Sequence, residues 1–595
     1  MLLLLGACFL AITPFFWKGI PSGHDFEFHV YSWMEVLGQW KQSIGYPRWA
    51  ALAQWAYGEP RFLFYPPASW TLGALLGAIL PWNVVPGAYC WLVLSLAGAS
   101  MYWLASQWLS KTDALFAAIF YALNPYHLLI VYWRSAYAEL LASALLPVVP
   151  LFLLRISDSV SQQLSSKHVS SNTGSSPQDE GQRSRLFVRA TVGLSLTLAA
   201  AWLANLPAAV MIHYSAAGLA VFLAARSYGT ERSFKGSGIL LATAGAAIMG
   251  AGLASFYLLP AIYEQRWINI SEILSPGVRP QDNFLFTTIA DADHNRFNRL
   301  VSTVAIAEII VLFLTIVVSS RHRRNRSRAA LAGPVGGRGN LPGTSLWMLI
   351  SAWGVATALM MFPITNWLWQ HLPKLRFVQL PFRWLLCMNA ALAVLLALAA
   401  RHWISRLLTC TALLATLFIA GQLTQPPWWD NSADIREMVD FMESGTGYEG
   451  VDEYVPAGAD ASELNKDLPR VSDEHGKPVP SKILAWEPAT RHFQIHAKAD
   501  QNIVVRLFNY PAWQAAVNGK PVITGKTETT RLMVIPIKSG ENDVYINFAR
   551  TTDRTAGIVV SMMSIALLAL LVTVWRNPQS AKSSAKAQHS TTEEN

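Results

Sequence analysis

The chain has 595 residues, 52% of them hydrophobic and only 14% charged, with a formal net charge of +9. Soluble globular proteins carry about 25% charged residues, so this composition excludes an ordinary soluble domain and points to a polytopic membrane protein. The basic balance would suit nucleic acid, but it is concentrated in short loops between apolar runs. It reads as cytoplasmic loop charge, and no nucleic-acid partner is expected.

Apolar runs of about spanning length fall at 1–17, 86–107, 113–132, 137–155, 188–206, 208–225, 237–262, 300–320, 344–364, 383–400, 404–422 and 556–575. A further run, 66–82, is short and opens on Pro66-Pro67, and it reads as a helix lying in the outer interface. Lys and Arg in short loops orient the rest. The markers are RHRRNRSR (321–328); Arg155, Lys167, Arg183, Arg185 and Arg189 in and around 156–187; Arg226, Arg232 and Lys235; Arg401 and Arg406; and Arg576, Lys582 and Lys586. The expectation is about twelve crossings in a bacterial inner (plasma) membrane, multi-pass, with both termini cytoplasmic.

The expected organisation is a transmembrane region 1–422, a β-rich extracytoplasmic domain 423–555, a last transmembrane helix 556–575 and a disordered tail 576–595. Within the first region lie an outer loop with its interfacial helix (18–85), a Ser/Gln-rich disordered cytoplasmic linker (156–187) and a basic cytoplasmic loop (321–343). In 423–555, IREMVDFMES (435–444) suits one short helix. The stretches 491–499, 502–510, 531–537 and 543–549 alternate with period two, and Asn518-Gly519 signals a hairpin. A β-sandwich-like domain follows from that pattern.

Cys8, Cys90, Cys387 and Cys410 all lie in apolar runs, so no disulfide framework or thiolate metal site is implied. Leu5-Gly6-Ala7-Cys8 is loosely like a lipoprotein cleavage box, but no basic segment precedes it.

Polar residues gather in the segments expected outside. GHDFEFH (23–29) sets His24, Asp25, Glu27 and His29 at the mouth of the first span, with His29 on the Asp25 face of a helix. They either cap and solvate that helix or do chemistry. Arg134 and Glu139 flank SAYA, as an ion pair at a span entrance or as part of a site. Arg383 in QLPFRW (379–384) either snorkels to headgroups or binds phosphate, with Gln379 beside it; Arg48 and Arg61 are weaker candidates of that type. Trp49, Trp55, Tyr57, Phe62, Phe64 and Tyr65 suit an interfacial belt or sugar stacking. Asn205 and His213 read as satisfied core residues. DADHN (291–295) offers oxygen ligands to a divalent cation, Mg²⁺ or Mn²⁺, or is a solvated loop. No nucleotide-binding fingerprint stands out, which argues against a nucleotide-driven pump.

An acid after the first span, a long outer loop, a Pro-Pro interfacial helix and a second polar turn make a layout that resembles the GT-C glycosyltransferases. GHDFEFH, YPRW (46–49), YGEPRFLFYPP (57–67), RSAYAE (134–139), FYLLPAIYE (256–264) and QLPFRW are similar to bacterial membrane proteins described as related to 6-pyruvoyl-tetrahydropterin synthase. FNYPAWQAAVNGKPV (508–522) resembles a strand pair of YfhO-type membrane glycosyltransferases, with Ala512 where glycine is commoner. The pair His24 and His29 does not reproduce the His-x-His zinc spacing of the soluble synthases, so zinc is not expected.

The resemblance implies transfer of a sugar from a polyprenyl-phosphate donor to a glycan or lipid acceptor of the cell envelope, beside membrane lipids. It implies a carboxylate base, Asp25 first and Glu27 second, with Glu139 as another catalytic carboxylate. His24, His29, Arg134, Arg383, Gln379, Arg61 and Tyr65 would bind substrate. Two other readings stay open: a lipid or glycan transporter or flippase, and a non-catalytic envelope assembly protein whose β-domain binds a partner. The first would need polar residues in mid-span and an internal repeat, and the spans read as nearly charge-free.

Overall fold

The computed structural model describes residues 1–169, 177–228, 235–332, 344–423 and 428–576. Ten of its helices are long and apolar enough to cross a membrane: Val85–Ala105, Lys111–Arg134, Tyr137–Ser161, Ser184–Ala204, Leu206–Ser227, Gly236–Leu253, Ala292–Asn325, Pro381–Ala399, Trp403–Gln422 and Thr552–Thr573. The helices Leu346–Leu359 and Pro363–His371 make a bent pair, at 93° to each other. The bend is local chemistry. Pro363 cannot donate to the preceding turn and forces Phe362 into an extended conformation (φ −104°, ψ 149°). The described residues thus hold ten spans, or eleven if the bent pair is one, against the twelve crossings expected; the first expected crossing, 1–17, is the shorter apolar helix Leu2–Lys18.

The run 66–82 forms Pro67–Gly77, 11 residues or roughly 16 Å, too short to cross. It lies against the helix Phe26–Lys41 so closely that a Cβ on Gly73 would stand 2.1 Å from the Trp33 indole. The expected disorder of 156–187 is narrowed from both sides by the helices Val148–Val169 and Pro177–Ala204. Residues 170–176, Arg232, 333–343 of the basic loop and the tail with Lys582 and Lys586 lie outside the described residues.

The β-rich part holds two antiparallel sheets. The strands Val471–Ser472, Gln501–Phe508, Leu532–Ile537 and Gly525–Lys526 form one, in that order. Ser481–Glu487, Thr490–Ala497, Gly540–Phe548, Trp513–Val517 and Lys520–Val522 form the other. Alternate residues point inward: Phe493, Ile495, Val544 and Ile546 from one sheet meet Ile503, Val505, Met533 and Ile535 from the other in a single core. Asn518 and Gly519 both take positive φ (50° and 76°) between the paired Val517 and Lys520. That is the two-residue turn whose twist suits a hairpin. The chain is a polytopic α-helical membrane protein with a C-terminal β-sandwich-like domain.

Two joints fix this domain to the helices. Arg554, at the start of the last span, donates Nε and Nη2 to the buried Glu264 (2.7 and 2.9 Å), and Tyr510 Oη from the β core donates to the same carboxylate (2.6 Å). Ile20–Pro21 pairs with Trp429–Asp430, so the chain after the first helix joins the chain after Trp403–Leu423.

Candidate functional site

Those joints, with contacts between loops, bring the polar segments to the face that carries the β-domain. The helix Ile130–Arg134 is of the wide π type and ends at Ser135, which is left-handed (φ 49°). Ser135 Oγ accepts the Gly23 N–H and donates to the Pro21 carbonyl, both at 2.9 Å, and the Asp25 N–H donates to the Arg134 carbonyl at 2.9 Å. Gly23 is needed there, because a Cβ would stand 2.2 Å from the Trp133 carbonyl oxygen. The GHD stretch is therefore bolted to the Arg134 turn.

Glu139 sits at the centre, 2% exposed. Arg134 Nη1 donates to it at 2.7 Å, Arg383 Nε at 3.1 Å and Tyr126 Oη at 2.6 Å. Arg134 Nη1 also donates to Tyr126 Oη (3.1 Å). Arg383 Nη1 donates to the Val378 carbonyl (2.8 Å) and to Gln379 Oε1 (3.2 Å), and Gln379 Nε2 donates to the Ile273 carbonyl (2.8 Å). Gln379 holds a strained positive φ of 65° in a three-residue turn closed by the Leu380 N–H on the Val378 carbonyl. Two guanidiniums thus face one carboxylate. The Nη2 of each makes no hydrogen bond among the described residues.

Asp25 precedes the first turn of the helix Phe26–Lys41, where the helix dipole favours an anion. Its carboxylate is half-exposed and makes no hydrogen bond or ion pair among the described residues. It lies within electrostatic reach of Arg134, Arg383 and Tyr65. Burial first, then the Asp25 charge, raises the Tyr65 pKa well above that of an ordinary phenol, so Tyr65 keeps its proton. His29, one turn beyond Asp25, is buried with Nε2 3.5 Å from Tyr65 Oη. Burial, aided by Arg61, pushes it down to about 3, so the ring is neutral. His24 packs its ring edge-on against Phe297 and Trp428.

Two expected members stand apart. Glu27 follows Asp25 by two positions, a rotation of about 200° on a helix, and it projects to the other side. Desolvation there, with the charges of Asp430 and Glu449, raises its pKa. Arg61 is spent elsewhere. Nε donates to Glu59 Oε1 (2.6 Å) and Nη1 to Ser32 Oγ (3.0 Å), beneath the rings of Phe28 and Tyr448. Pro60 turns the chain between Glu59 and Arg61, so both side chains enter one interior. In the same interior Glu35 accepts Tyr448 Oη (2.6 Å) and the N–H groups of Leu52 (3.1 Å) and Ala51. Burial pushes its carboxyl up to about 6 against those donors.

Three of the loop aromatics are structural rather than interfacial. Trp49, Tyr57 and Phe64 are buried in the core of the β-domain, and Trp49 lies against Trp513 and Phe548. Asp291 Oδ1 accepts the N–H groups of Asp293 (2.9 Å) and His294 (3.1 Å) at a helix start. Among the described residues no three His, Cys, Asp or Glu side chains gather as metal ligands. Asn205 caps the next helix through the Ala208 N–H, and His213 Nδ1 pairs with the Ala209 carbonyl.

Sequence reasoning missed Tyr126 and Ser135, for which no local signal existed. It also missed Glu308, a buried acid midway along the span Ala292–Asn325, which accepts Asn389 Nδ2 at 2.9 Å. One acid in an apolar run is itself a signal of function.

No family model matches the chain, and no curated protein matches it. Among solved structures it is similar to the arabinofuranosyltransferase AftD from Mycobacteria, in a point-mutant form (14% identity, 71% of this chain and 27% of that one, TM-score 0.33). A second AftD structure gives 12% identity over 71% of this chain and 26% of that one, with a TM-score of 0.34. An Archaeoglobus fulgidus oligosaccharyltransferase, solved with Zn and sulfate, gives 12% identity over 75% and 53%, with a TM-score of 0.32. The chain thus spans about a quarter of the AftD length and about half of the oligosaccharyltransferase.

Proposed function

We propose that this chain is a membrane glycosyltransferase of GT-C layout, moving a sugar from a polyprenyl-phosphate-linked donor to a glycan or lipid acceptor on the face that carries the β-domain. That face is read as extracytoplasmic in a bacterial plasma membrane, with both termini inside. The observation that carries the reading is one half-exposed carboxylate, Asp25, within electrostatic reach of two guanidiniums that each keep an unused N–H edge.

The chemistry follows from those groups. Asp25 takes the proton of the acceptor hydroxyl as its oxygen bonds to the anomeric carbon. The bond from that carbon to the phosphate oxygen breaks, and the electron pair stays on the phosphate. The Nη2 edges of Arg134 and Arg383 hold that growing charge. Glu139, spent on three donors, is a positioning residue that fixes the two guanidiniums. Neutral His29 and protonated Tyr65 lie beside Asp25. Purified chain in lipid nanodiscs, supplied with a radiolabelled polyprenyl-phosphate sugar and envelope glycan, should transfer label, and Asp25→Asn should abolish transfer while the protein stays folded. Label transfer undiminished in Asp25→Asn would defeat the assignment.

A second reading, transport, draws support from the Glu308–Asn389 pair in mid-span. Substrate movement across proteoliposomes without covalent change, lost in Glu308→Gln, would favour it.

A further inference from the structure

A cavity of about 450 Å³ opens where the last span leaves the β-domain. Its polar end carries Tyr46, Arg48, Arg550 and Arg554, and its apolar wall includes Phe256, Ile558 and Met562. Arg554 is neutralised by its two bonds to Glu264. Arg48 and Arg550 are not. Neither makes a hydrogen bond or ion pair among the described residues, and they lie within electrostatic reach of each other. Arg48 Nη1 is fully buried without a partner, and so is Tyr46 Oη, whose ring lies 4.3 Å from the Arg48 guanidinium carbon.

A buried donor left unpaired is costly, and a charged one more so. Such groups persist where a ligand completes them. This ligand must be anionic and must accept several hydrogen bonds, as a phosphate does. The apolar wall narrows the choice. Met562 is 64% exposed on the last span, two turns past Thr555, so that wall is continuous with a surface turned to acyl chains. The polar end sits at the first turn of the span, at headgroup depth.

We propose that this cavity binds the phosphate of an anionic phospholipid, received by Arg48, Arg550 and the Tyr46 hydroxyl, with the acyl chains along Ile558 and Met562. The bound lipid would complete the joint between the β-domain and the last span. It is a separate site from the one proposed around Asp25 and stands whether or not transfer occurs there.

Native mass spectrometry of the full chain in an uncharged detergent tests this, with phosphatidylglycerol, phosphatidylcholine and inorganic phosphate as probes. Phosphatidylglycerol should bind at least tenfold tighter than phosphatidylcholine. Arg48→Gln with Arg550→Gln should weaken it about thirtyfold, the worth of two arginines facing an anionic lipid. Met562→Trp, which fills the apolar wall and leaves the cations, should weaken phosphatidylglycerol and leave inorganic phosphate unchanged. If Arg48→Gln fails to fold, Arg550→Gln and Met562→Trp carry the test, since both sites are exposed. Equal binding of both lipids, or affinities unmoved by all three substitutions, overturns the proposal. So does inorganic phosphate binding as well as the lipid and resisting Met562→Trp, which would make this a free-phosphate site.

Discussion

Two buried ionic clusters lie side by side beneath the β-domain, and they differ in charge balance. Around Glu139, two guanidiniums face one carboxylate, and an unpaired acid, Asp25, looks in from the edge. Around Arg61, one guanidinium serves Glu59 while Glu35 stands close by. The second cluster is over-supplied with acid and closed by backbone donors from Leu52 and Val451. A buried ion pair alone is weak grounds for function. Surplus positive charge next to an accessible carboxylate is what the proposed chemistry uses in the first cluster, and complete satisfaction makes the second a fastening.

The largest effect that would break this contrast is kinetic. Asp25→Asn should cost about 10²–10⁴ in transfer rate, the usual worth of a general base, with little change in melting temperature, whereas Glu27→Gln should stay within about twofold. Equal losses for the two, in a radiolabel assay, would erase the distinction between the two faces of the helix. Next in size is Glu139→Gln, which leaves two guanidiniums buried against each other and should destabilise the fold by about 3–5 kcal/mol, read by thermal unfolding. Glu59→Gln should cost a similar amount of stability, yet turnover per folded molecule should hold. Loss of turnover there would join the two clusters into one site. Arg383→Gln should raise the donor KM and lower kcat together, by about tenfold or more, as expected for a lost charge-assisted hydrogen bond.

The smallest effect concerns pH. Glu35 titrates near 4.5 when unfolded and about 6 when folded. The folded state therefore holds the proton more tightly, so the contribution is complete below about 4.5 and lost as pH rises through about 6. Comparing wild type with Glu35→Gln across that window should show a difference of about 2 kcal/mol, and a flat difference would refute it.

The parts of this fold that could be read from the chain are those set by local rules. Spanning length, period-two alternation at Thr490–Ala497 and the turn at Asn518-Gly519 depend on a few neighbouring residues. Charge in loops was enough to place Asp25, Glu139 and Arg383 on one side. Which partner each group takes was not legible. Arg61 resembles any phosphate-binding arginine until Pro60 turns it on to Glu59, and Trp49 resembles an interfacial ring until the β-domain closes over it. The Trp49 choice is made by contacts hundreds of positions away, and the Arg61 choice by a neighbour only two positions off whose direction the folded interior sets, so local pattern settles neither.

Tyr448 reaches Glu35 across 413 positions of sequence, and Ile20 pairs with Asp430. At about 5–20 residues per second, a ribosome needs on the order of 20–80 s between making the first partner and the second. During that interval the Asp25 helix has been made without the strand that anchors it. A truncated product ending before residue 428 would carry every proposed active-site residue without the strand that pairs with Ile20–Pro21.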